Sequence, residues 1–125
     1  MKTSSLWHSF RCGFVGLWDI FRSGRNAKIH AVVAGTVIVT GLCLRLSRTD
    51  WAILGLTIGA VIAAEAANTA IELLVDLVSP EYHELARRSK DAAAGAVLVL
   101  AITAIVIGGL ILGPPIGALL RQSPS

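Results

Sequence analysis

The chain has 125 residues, a length that allows a single compact domain. Hydrophobic residues make up 54% of it and charged residues 15%, and the mean hydropathy is +0.72, whereas a soluble domain carries about a quarter charged residues. This composition excludes an ordinary soluble domain and predicts an all-α integral membrane protein with one domain over residues 1–125. The formal net charge of +3 is small, so the positions of the basic residues are more informative than their sum.

The first predicted element is a helix over about 6–22 that lies on the membrane surface. Large apolar residues recur there at three- and four-residue spacings: Leu6, Phe10, Phe14, Leu17, Trp18 and Phe21. Arg11, Asp19 and Arg22 fall on the other side. This pattern is typical of an amphipathic interfacial helix. The alternative is a disordered cationic arm.

Three apolar segments follow, and each is long enough to cross a bilayer as a helix. They cover about 26–46, 51–78 and 91–112. The apolar part of the first span, residues 29–44, is short by itself, and it crosses the bilayer when it is extended by a turn into the flanking basic residues, whose side chains snorkel to the surfaces. The third is predicted to end at Gly113-Pro114-Pro115, because proline interrupts the hydrogen bonding of a helix.

The basic residues predict the orientation of these spans. With the N-terminus inside, the inner segments hold Lys2, Arg11, Arg22, Arg25, Lys28, Arg87, Arg88 and Lys90. The outer segments hold only Arg45, Arg48 and Arg121. An excess of basic residues marks cytoplasmic segments, so the N-terminus and the segment over residues 79–91 are predicted to be cytoplasmic. Trp51 then lies at the outer interface, where an indole ring is favoured.

Polar residues occupy the end of the second span, in the sequence EAANTAIELLVD. At 3.6 residues per turn, Glu65, Asn68, Glu72 and Asp76 lie within about 80° of one another on one helix face. From Trp51, Glu65 lies about 21 Å along the helix and Glu72 about 31 Å, so the face extends from the apolar layer into water. Such groups can join helices by hydrogen bonds. Two acids and an amide on one face are more typical of a functional site, because acids inside a membrane are costly.

These residues suggest transfer of a phosphoryl group. A carboxylate in apolar surroundings, as expected for Glu65, can accept a proton from a group at the membrane interface. Glu72 and Asp76 offer oxygen ligands to a divalent cation, and Lys90 with the neighbouring arginines offers positive charge to phosphate. A base, a metal site and a phosphate-binding cation together suit transfer from a soluble nucleotide to a lipid hydroxyl. A proton or ion pathway could use the same acids, and a small structural protein could use them for helix packing.

The sequences EAANTAIELLVD and SPEYHELARRSKDAAAGAVLVL closely resemble the prokaryotic diacylglycerol kinase family, which includes the undecaprenol kinases. The match covers roughly residues 10–115. The resemblance implies a homotrimeric bundle in the bacterial inner (cell) membrane, with a surface helix and three spans per subunit. It implies active sites at subunit interfaces on the cytoplasmic side, which use ATP and Mg²⁺ to phosphorylate a membrane lipid alcohol. No nucleic-acid partner is expected.

On the second span, the resemblance assigns a role to each polar residue. Glu65 matches the catalytic base that takes the proton of the lipid hydroxyl. Glu72 matches the metal-binding glutamate, which also holds the nucleotide, and Asn68 matches the asparagine that orders the site. Asp76 matches the aspartate at the helix end.

After the second span, the resemblance implies a nucleotide-binding segment. Glu81, Tyr82 and His83 match the loop that lines the nucleotide, although a histidine such as His83 is often only a solvated loop residue. Lys90 and Asp91 match the pair that contacts the phosphates and the ribose or adenine end.

One position departs from the family pattern. Members often carry a glutamate before the first span, at the position of Gly24, and it shares the metal with the residue at Glu72. Glycine has no side chain with which to bind a metal, so water or another acid (Asp19, Asp76 or Asp91) would complete the coordination.

The sequence leaves the lipid substrate open. Arg25-Asn26 and His30 are similar to the undecaprenol kinase branch, whereas EYHELARRSKD resembles the diacylglycerol kinase branch. A hydroxyl group on either lipid could approach Glu65.

Small residues favour close helix packing. Ala60, Ala63, Ala64, Ala66, Ala67 and Ala70 lie on the second span, and Ala92 and Ala96 on the third. Such surfaces let helices approach closely in lipid, either within one subunit or between the subunits of an oligomer.

Overall fold

The computed structural model describes residues 5–122, and over this range the chain forms four helices and no strand. They are α1 (Leu6–Ser23), α2 (Arg25–Leu44), α3 (Arg48–Val78) and α4 (Glu84–Gln122). The last three are long and apolar enough to cross a membrane. The prediction of an all-helical protein with three candidate spans is therefore confirmed. Lys2, one of the basic residues that predict the orientation, lies outside the described residues.

Helix α1 begins and ends at capping residues. The Ser5 hydroxyl accepts a hydrogen bond from the backbone N–H of His8 at 3.2 Å, which satisfies one of the free N–H groups of the first turn. At the other end, Gly24 N–H donates to the Ile20 carbonyl at 2.7 Å, and the chain then enters α2 directly. The predicted bounds of 6–22 are correct to within one residue.

The turn between α2 and α3 is short and closely packed. Arg45, the C-cap of α2, adopts a left-handed conformation with φ 52°. The Ser47 hydroxyl accepts from Asp50 N–H at 3.1 Å and caps α3. A Cβ at Gly41 would lie 2.8 Å from the Trp51 ring, so the two helices meet here through a glycine.

The observed bounds at this turn differ from the predicted ones. α2 ends two residues before the predicted position 46, and α3 begins three residues before position 51. The predictions followed the edges of the apolar segments, whereas the helix start is set by the Ser47 cap and favoured by an acid, Asp50, in the first turn.

Helix α4 continues through Pro114 and Pro115 to Gln122. The prediction that Gly113-Pro114-Pro115 ends this helix is therefore wrong. Each proline lacks an N–H donor and its ring crowds the carbonyl four residues earlier, but helices in membranes tolerate such interruptions. The helix also begins at Glu84, so the predicted span 91–112 lies wholly within it.

The helices enclose only a small core. α3 packs most extensively against α4, α2 packs against both, and α1 contacts α2 and α3. Among the described residues, the buried hydrophobic side chains are Ala27, Leu54, Val61 and Ala93. Most apolar side chains therefore face outward, toward lipid or another protein chain.

Candidate active site

The polar face of α3 changes from buried to exposed along the helix. Glu65 and Asn68 are 6% and 8% exposed, and they are the buried polar residues of the described chain. One to three turns further on, Glu72 and Asp76 are exposed. The structure thus agrees with the prediction that the first two residues of this face are enclosed and the last two are accessible.

Glu65 faces a small apolar cleft between α1, α2 and α3. Leu17 and Phe21 of α1 and Ile62 of α3 line this cleft with it. His30 of α2 also lines it, and His30 Nε2 lies 3.5 Å from Glu65 Oε2. This separation is within the range of an ion pair but longer than a well-formed hydrogen bond. Glu65 Oε2 has no hydrogen-bond partner in the described chain.

His30 was not among the predicted site residues. In the sequence, His30 is similar to the undecaprenol kinase branch and carries no further signal. Only its depth in the bundle can be predicted from the sequence, because His30 and Glu65 lie at similar distances along the chain from the turn at residues 45–47. Consecutive antiparallel helices therefore bring them to the same depth.

Asn68 and Glu72 are joined by a hydrogen bond one helical turn apart. Asn68 Nδ2 donates to Glu72 Oε1 at 3.1 Å, while Asn68 Oδ1 is buried without a partner in the described chain. The amide thereby fixes one oxygen of Glu72 and leaves the other oxygen for a ligand. The ordering role that the resemblance implies for Asn68 stays a prediction.

An ion pair links the end of α3 to the beginning of α4. Lys90 Nζ lies 2.5 Å from Asp76 Oδ1, across the turn over residues 79–83. Asp91 instead pairs with Arg87, one turn before it on α4, at 2.7 Å. Lys90 and Asp91, predicted to act together, are thus held by different partners in the described chain.

The turn and the first residues of α4 form a second polar cluster. Arg87 donates to Glu84 Oε1 at 2.5 Å, and the Tyr82 hydroxyl donates to Glu84 Oε2 at 2.8 Å. The guanidinium of Arg87 and then the hydroxyl of Tyr82 lower the pKa of Glu84 by binding its charged form. His83 Nδ1 accepts from Leu85 N–H at 3.1 Å, which leaves Nε2 of this exposed ring free to donate.

The remaining member of the predicted nucleotide-binding loop, Glu81, is exposed. Its backbone carbonyl accepts from the Ser79 hydroxyl at 3.2 Å. The carboxylate is therefore not required for the turn itself, and it lies on the same short segment as Tyr82 and His83.

The donor groups of this region suit a metal ion that arrives with a phosphate ligand. Within residues 5–122, no group of three or more histidine, cysteine, aspartate or glutamate residues could hold a metal. Mg²⁺ does not require such a group, because it commonly binds one or two carboxylates together with water and substrate phosphates. The exposed Glu72, with one oxygen fixed by Asn68, fits that mode of binding.

Residues 11–112 match the family described as prokaryotic diacylglycerol kinase. The chain is similar to an undecaprenol kinase of Bacillus subtilis, with 44% identity over 99 residues that cover 79% of this chain and 80% of that protein. It is similar to a diacylglycerol kinase of Synechocystis, with 43% identity over 113 residues that cover 90% of this chain and 65% of that longer protein. A diacylglycerol kinase of Escherichia coli K12 is 46% identical over 46 residues, which cover 37% of this chain and 38% of that protein.

Proposed function

The chain belongs to the prokaryotic diacylglycerol kinase family and is a lipid kinase, and we propose that it transfers the terminal phosphoryl group of ATP to the hydroxyl group of diacylglycerol or undecaprenol. The change from buried Glu65 to exposed Glu72 along α3 carries this proposal. A lipid hydroxyl comes from the apolar side and a nucleotide from water, so a site that joins them needs groups in both surroundings.

Glu65 is the general base of the proposed reaction. Its carboxylate accepts the proton of the lipid hydroxyl while the hydroxyl oxygen attacks the γ-phosphorus of ATP. The bond between the γ-phosphorus and the bridging oxygen breaks, and ADP leaves with the electron pair. The products are the lipid phosphate and ADP, with the hydroxyl proton on Glu65.

The exposed residues hold the nucleotide. Glu72, oriented by Asn68, is the ligand for Mg²⁺, an ion that neutralises negative charge on the phosphates when bound. Lys90 contacts phosphate oxygens from the position in which Asp76 holds it.

The rest of the nucleotide lies against the start of α4 and the turn before it. Asp91 contacts the ribose or adenine end, and Glu81, Tyr82 and His83 line the same side. All four of these residues are exposed in the single chain, so a soluble nucleotide has access to them.

The active form is a homotrimer with active sites between subunits. Gly59, Ala63, Ala67 and Ala70 form an exposed line of small residues at three- and four-residue spacings on α3. Helices pack closely through such lines in lipid. A neighbouring subunit on this surface would add the walls that one chain of three spans lacks.

The protein lies in the bacterial inner membrane with its N-terminus and active site in the cytoplasm. The excess of basic residues at one end of the bundle supports this orientation. α1 lies on the membrane surface as an amphipathic helix, and its exposed side chains Phe10, Phe14 and Trp18 (58%, 70% and 70% exposed) enter the interface.

Phosphorylation of lipid in mixed micelles tests the proposal. The purified protein receives radiolabelled ATP, Mg²⁺ and either diacylglycerol or undecaprenol, and label in the organic phase is measured. We expect one of the two lipids to be labelled faster and Glu65→Gln to lower kcat about 10²- to 10⁴-fold, the usual contribution of a general base. Asp50→Asn, the same change of acid to amide at the other end of α3, should retain the rate.

Equal labelling by Glu65→Gln and the unmodified chain would refute the assignment of the base. Ion flux into liposomes without nucleotide, combined with no lipid labelling, would identify an ion conductor instead. If Glu65→Gln lowered only the unfolding temperature and left every activity intact, the acids would have a structural role alone.

A further inference from the structure

His30 is the one polar side chain that approaches the carboxylate of Glu65 from another helix within the described chain. Its imidazole is 23% exposed and the Glu65 side chain 8% exposed, so both are largely withdrawn from water. A buried carboxylate oxygen without a hydrogen bond is unfavourable. Nε2 of His30 is the donor in position to satisfy Oε2 of Glu65.

The surroundings of the pair are apolar. Leu17, Phe21 and Ile62 line the cleft beside Glu65. On its other side, His30 contributes to a long groove between α2, α3 and α4 whose lining is otherwise almost entirely apolar, with Val33 and Val61 among its residues. Apolar linings on both sides offer the Glu65 carboxylate few polar partners, so its orientation depends on the protein groups that it meets.

We propose that His30 is a positioning residue for Glu65. The imidazole donates its Nε2–H to Glu65 Oε2 and fixes the carboxylate, so that Oε1 is the oxygen that accepts the proton of the lipid hydroxyl. This donor exists both in the neutral Nε2–H tautomer and in the charged ring, so the role requires no change of protonation. The present separation of 3.5 Å is expected to shorten when substrate is bound, as contacts in unliganded active sites often do.

This inference rests on the proposed function, because it assigns His30 to the base of the proposed reaction. His30 lies on α2, whereas the proposed nucleotide ligands lie at the end of α3 and the start of α4. Its loss should therefore slow the chemical step and leave nucleotide binding nearly unchanged.

Steady-state kinetics with two substitutions at position 30 test this role. His30→Leu removes the donor at similar size, and we expect kcat to fall about 10- to 100-fold, as expected for loss of a hydrogen bond to a charged group. The KM for ATP should stay within about twofold. His30→Gln restores an N–H donor and should return kcat to within about threefold of the unsubstituted chain. His8→Leu, the same substitution at an exposed histidine of α1, is the matched control and should leave the rate unchanged.

The proposal would be overturned if kcat in His30→Leu stayed within twofold of the value for the unsubstituted chain. An equal decrease of kcat in His30→Leu and His30→Gln would also overturn it. So would an effect on the KM of either substrate without any decrease of kcat. Thermal unfolding of each variant separates loss of folded protein from loss of turnover.

Nitrogen NMR of the isotopically labelled histidines gives a readout that does not depend on activity. The chain has three histidines, and the signal of His30 is identified by its absence in His30→Gln. We expect Glu65→Gln to shift the Nε2 signal of His30, while an unchanged signal would show that the two side chains do not interact. If no lipid is phosphorylated by the unsubstituted chain but this shift is observed, the proposed function fails and the contact stands.

Discussion

Gly24, the position that departs from the family pattern, allows a sharp test of the metal site. A carboxylate added there should lower the stability of the protein and raise its affinity for Mg²⁺. A Cβ at position 24 would lie 2.7 Å from the Ile20 carbonyl oxygen and 3.4 Å from Ala27 Cβ. The first contact is with backbone, so the junction of α1 and α2 must shift to admit any side chain. Gly24 has φ −86°, a value that other residues adopt, so the conflict is steric and not conformational.

Stability should therefore decrease in Gly24→Glu. Replacing a glycine ordinarily stabilises by about 0.4–1 kcal/mol through the unfolded state, whereas crowding a packed position costs about 1–3 kcal/mol. The second effect is larger here, because the Gly24 N–H also donates to the same Ile20 carbonyl. We expect a lower unfolding temperature in Gly24→Glu, Gly24→Gln and Gly24→Ala alike.

The affinity for Mg²⁺ should rise, and it should rise only in Gly24→Glu. Hard cations gain affinity from each added carboxylate, and the resemblance to the family implies that position 24 faces the metal. We expect Gly24→Glu to lower the Mg²⁺ concentration for half-maximal rate about three- to tenfold relative to Gly24→Gln. This range corresponds to about 0.6–1.4 kcal/mol of binding free energy.

The measurement is the rate per folded protein as a function of Mg²⁺ concentration at saturating ATP and lipid. Gly24→Gln is the matched control, because it has the same length and the same steric conflict without the charge. Identical Mg²⁺ dependence in the two variants would show that position 24 does not face the metal or that another acid already serves it. An unfolding temperature that is unchanged in Gly24→Ala would refute the steric reasoning.

Two further predictions concern the ion pair between α3 and α4 and the exposed face of α3. Lys90→Met should raise the KM for ATP about tenfold and Asp76→Asn about threefold, because only Lys90 is proposed to touch phosphate. The side chains of Lys90 and Asp76 are 39% and 64% exposed, so the ion pair contributes at most about 1 kcal/mol to stability. An unchanged KM for ATP in Lys90→Met, or a large loss of stability in either variant, would contradict this division of roles. Gly59→Leu should leave each chain folded, because a Cβ at Gly59 meets nothing within 4 Å in its own chain. It should dissociate the proposed trimer, because a leucine would separate helices that pack through small residues. Light scattering in detergent measures the oligomeric state. Gly16→Leu, at an equally open position of α1, is the control. A Gly59→Leu protein that stays trimeric would exclude this face of α3 as the interface.

The number and type of the helices could be predicted from the sequence because the signals are local. The length of the apolar segments predicted the three spans, and the spacing of large apolar residues predicted α1. The ends of the helices were less accurate, because the edge of an apolar segment is not the end of a helix. Ser47 with Asp50 is a capping pattern visible in the sequence, and it locates the start of α3 better than the interfacial position expected for Trp51.

The site was predictable to the extent that it lies on one helix. Helical periodicity places four polar residues on one face of α3: Glu65, Asn68, Glu72 and Asp76. The structure adds the hydrogen bond from Asn68 to Glu72. The contacts of Lys90 with Asp76 and of His30 with Glu65 join different helices. They depend on how the helices are rotated against one another, and the spacing of residues along a single helix does not determine that rotation.

The separation of the proposed base from the proposed metal ligand bears on the choice between a lipid hydroxyl and water as the phosphoryl acceptor. Glu65 and Glu72 are seven residues apart on α3, which is about 10 Å along the helix axis, so the lipid hydroxyl and the γ-phosphate must lie between them. The buried carboxylate meets a hydroxyl that arrives through lipid more readily than it meets water, because the cleft around it is apolar. A base in the exposed position of Glu72 would instead have water as its most abundant partner. Placing the base at the buried end of the polar face therefore favours transfer to a lipid over hydrolysis of ATP.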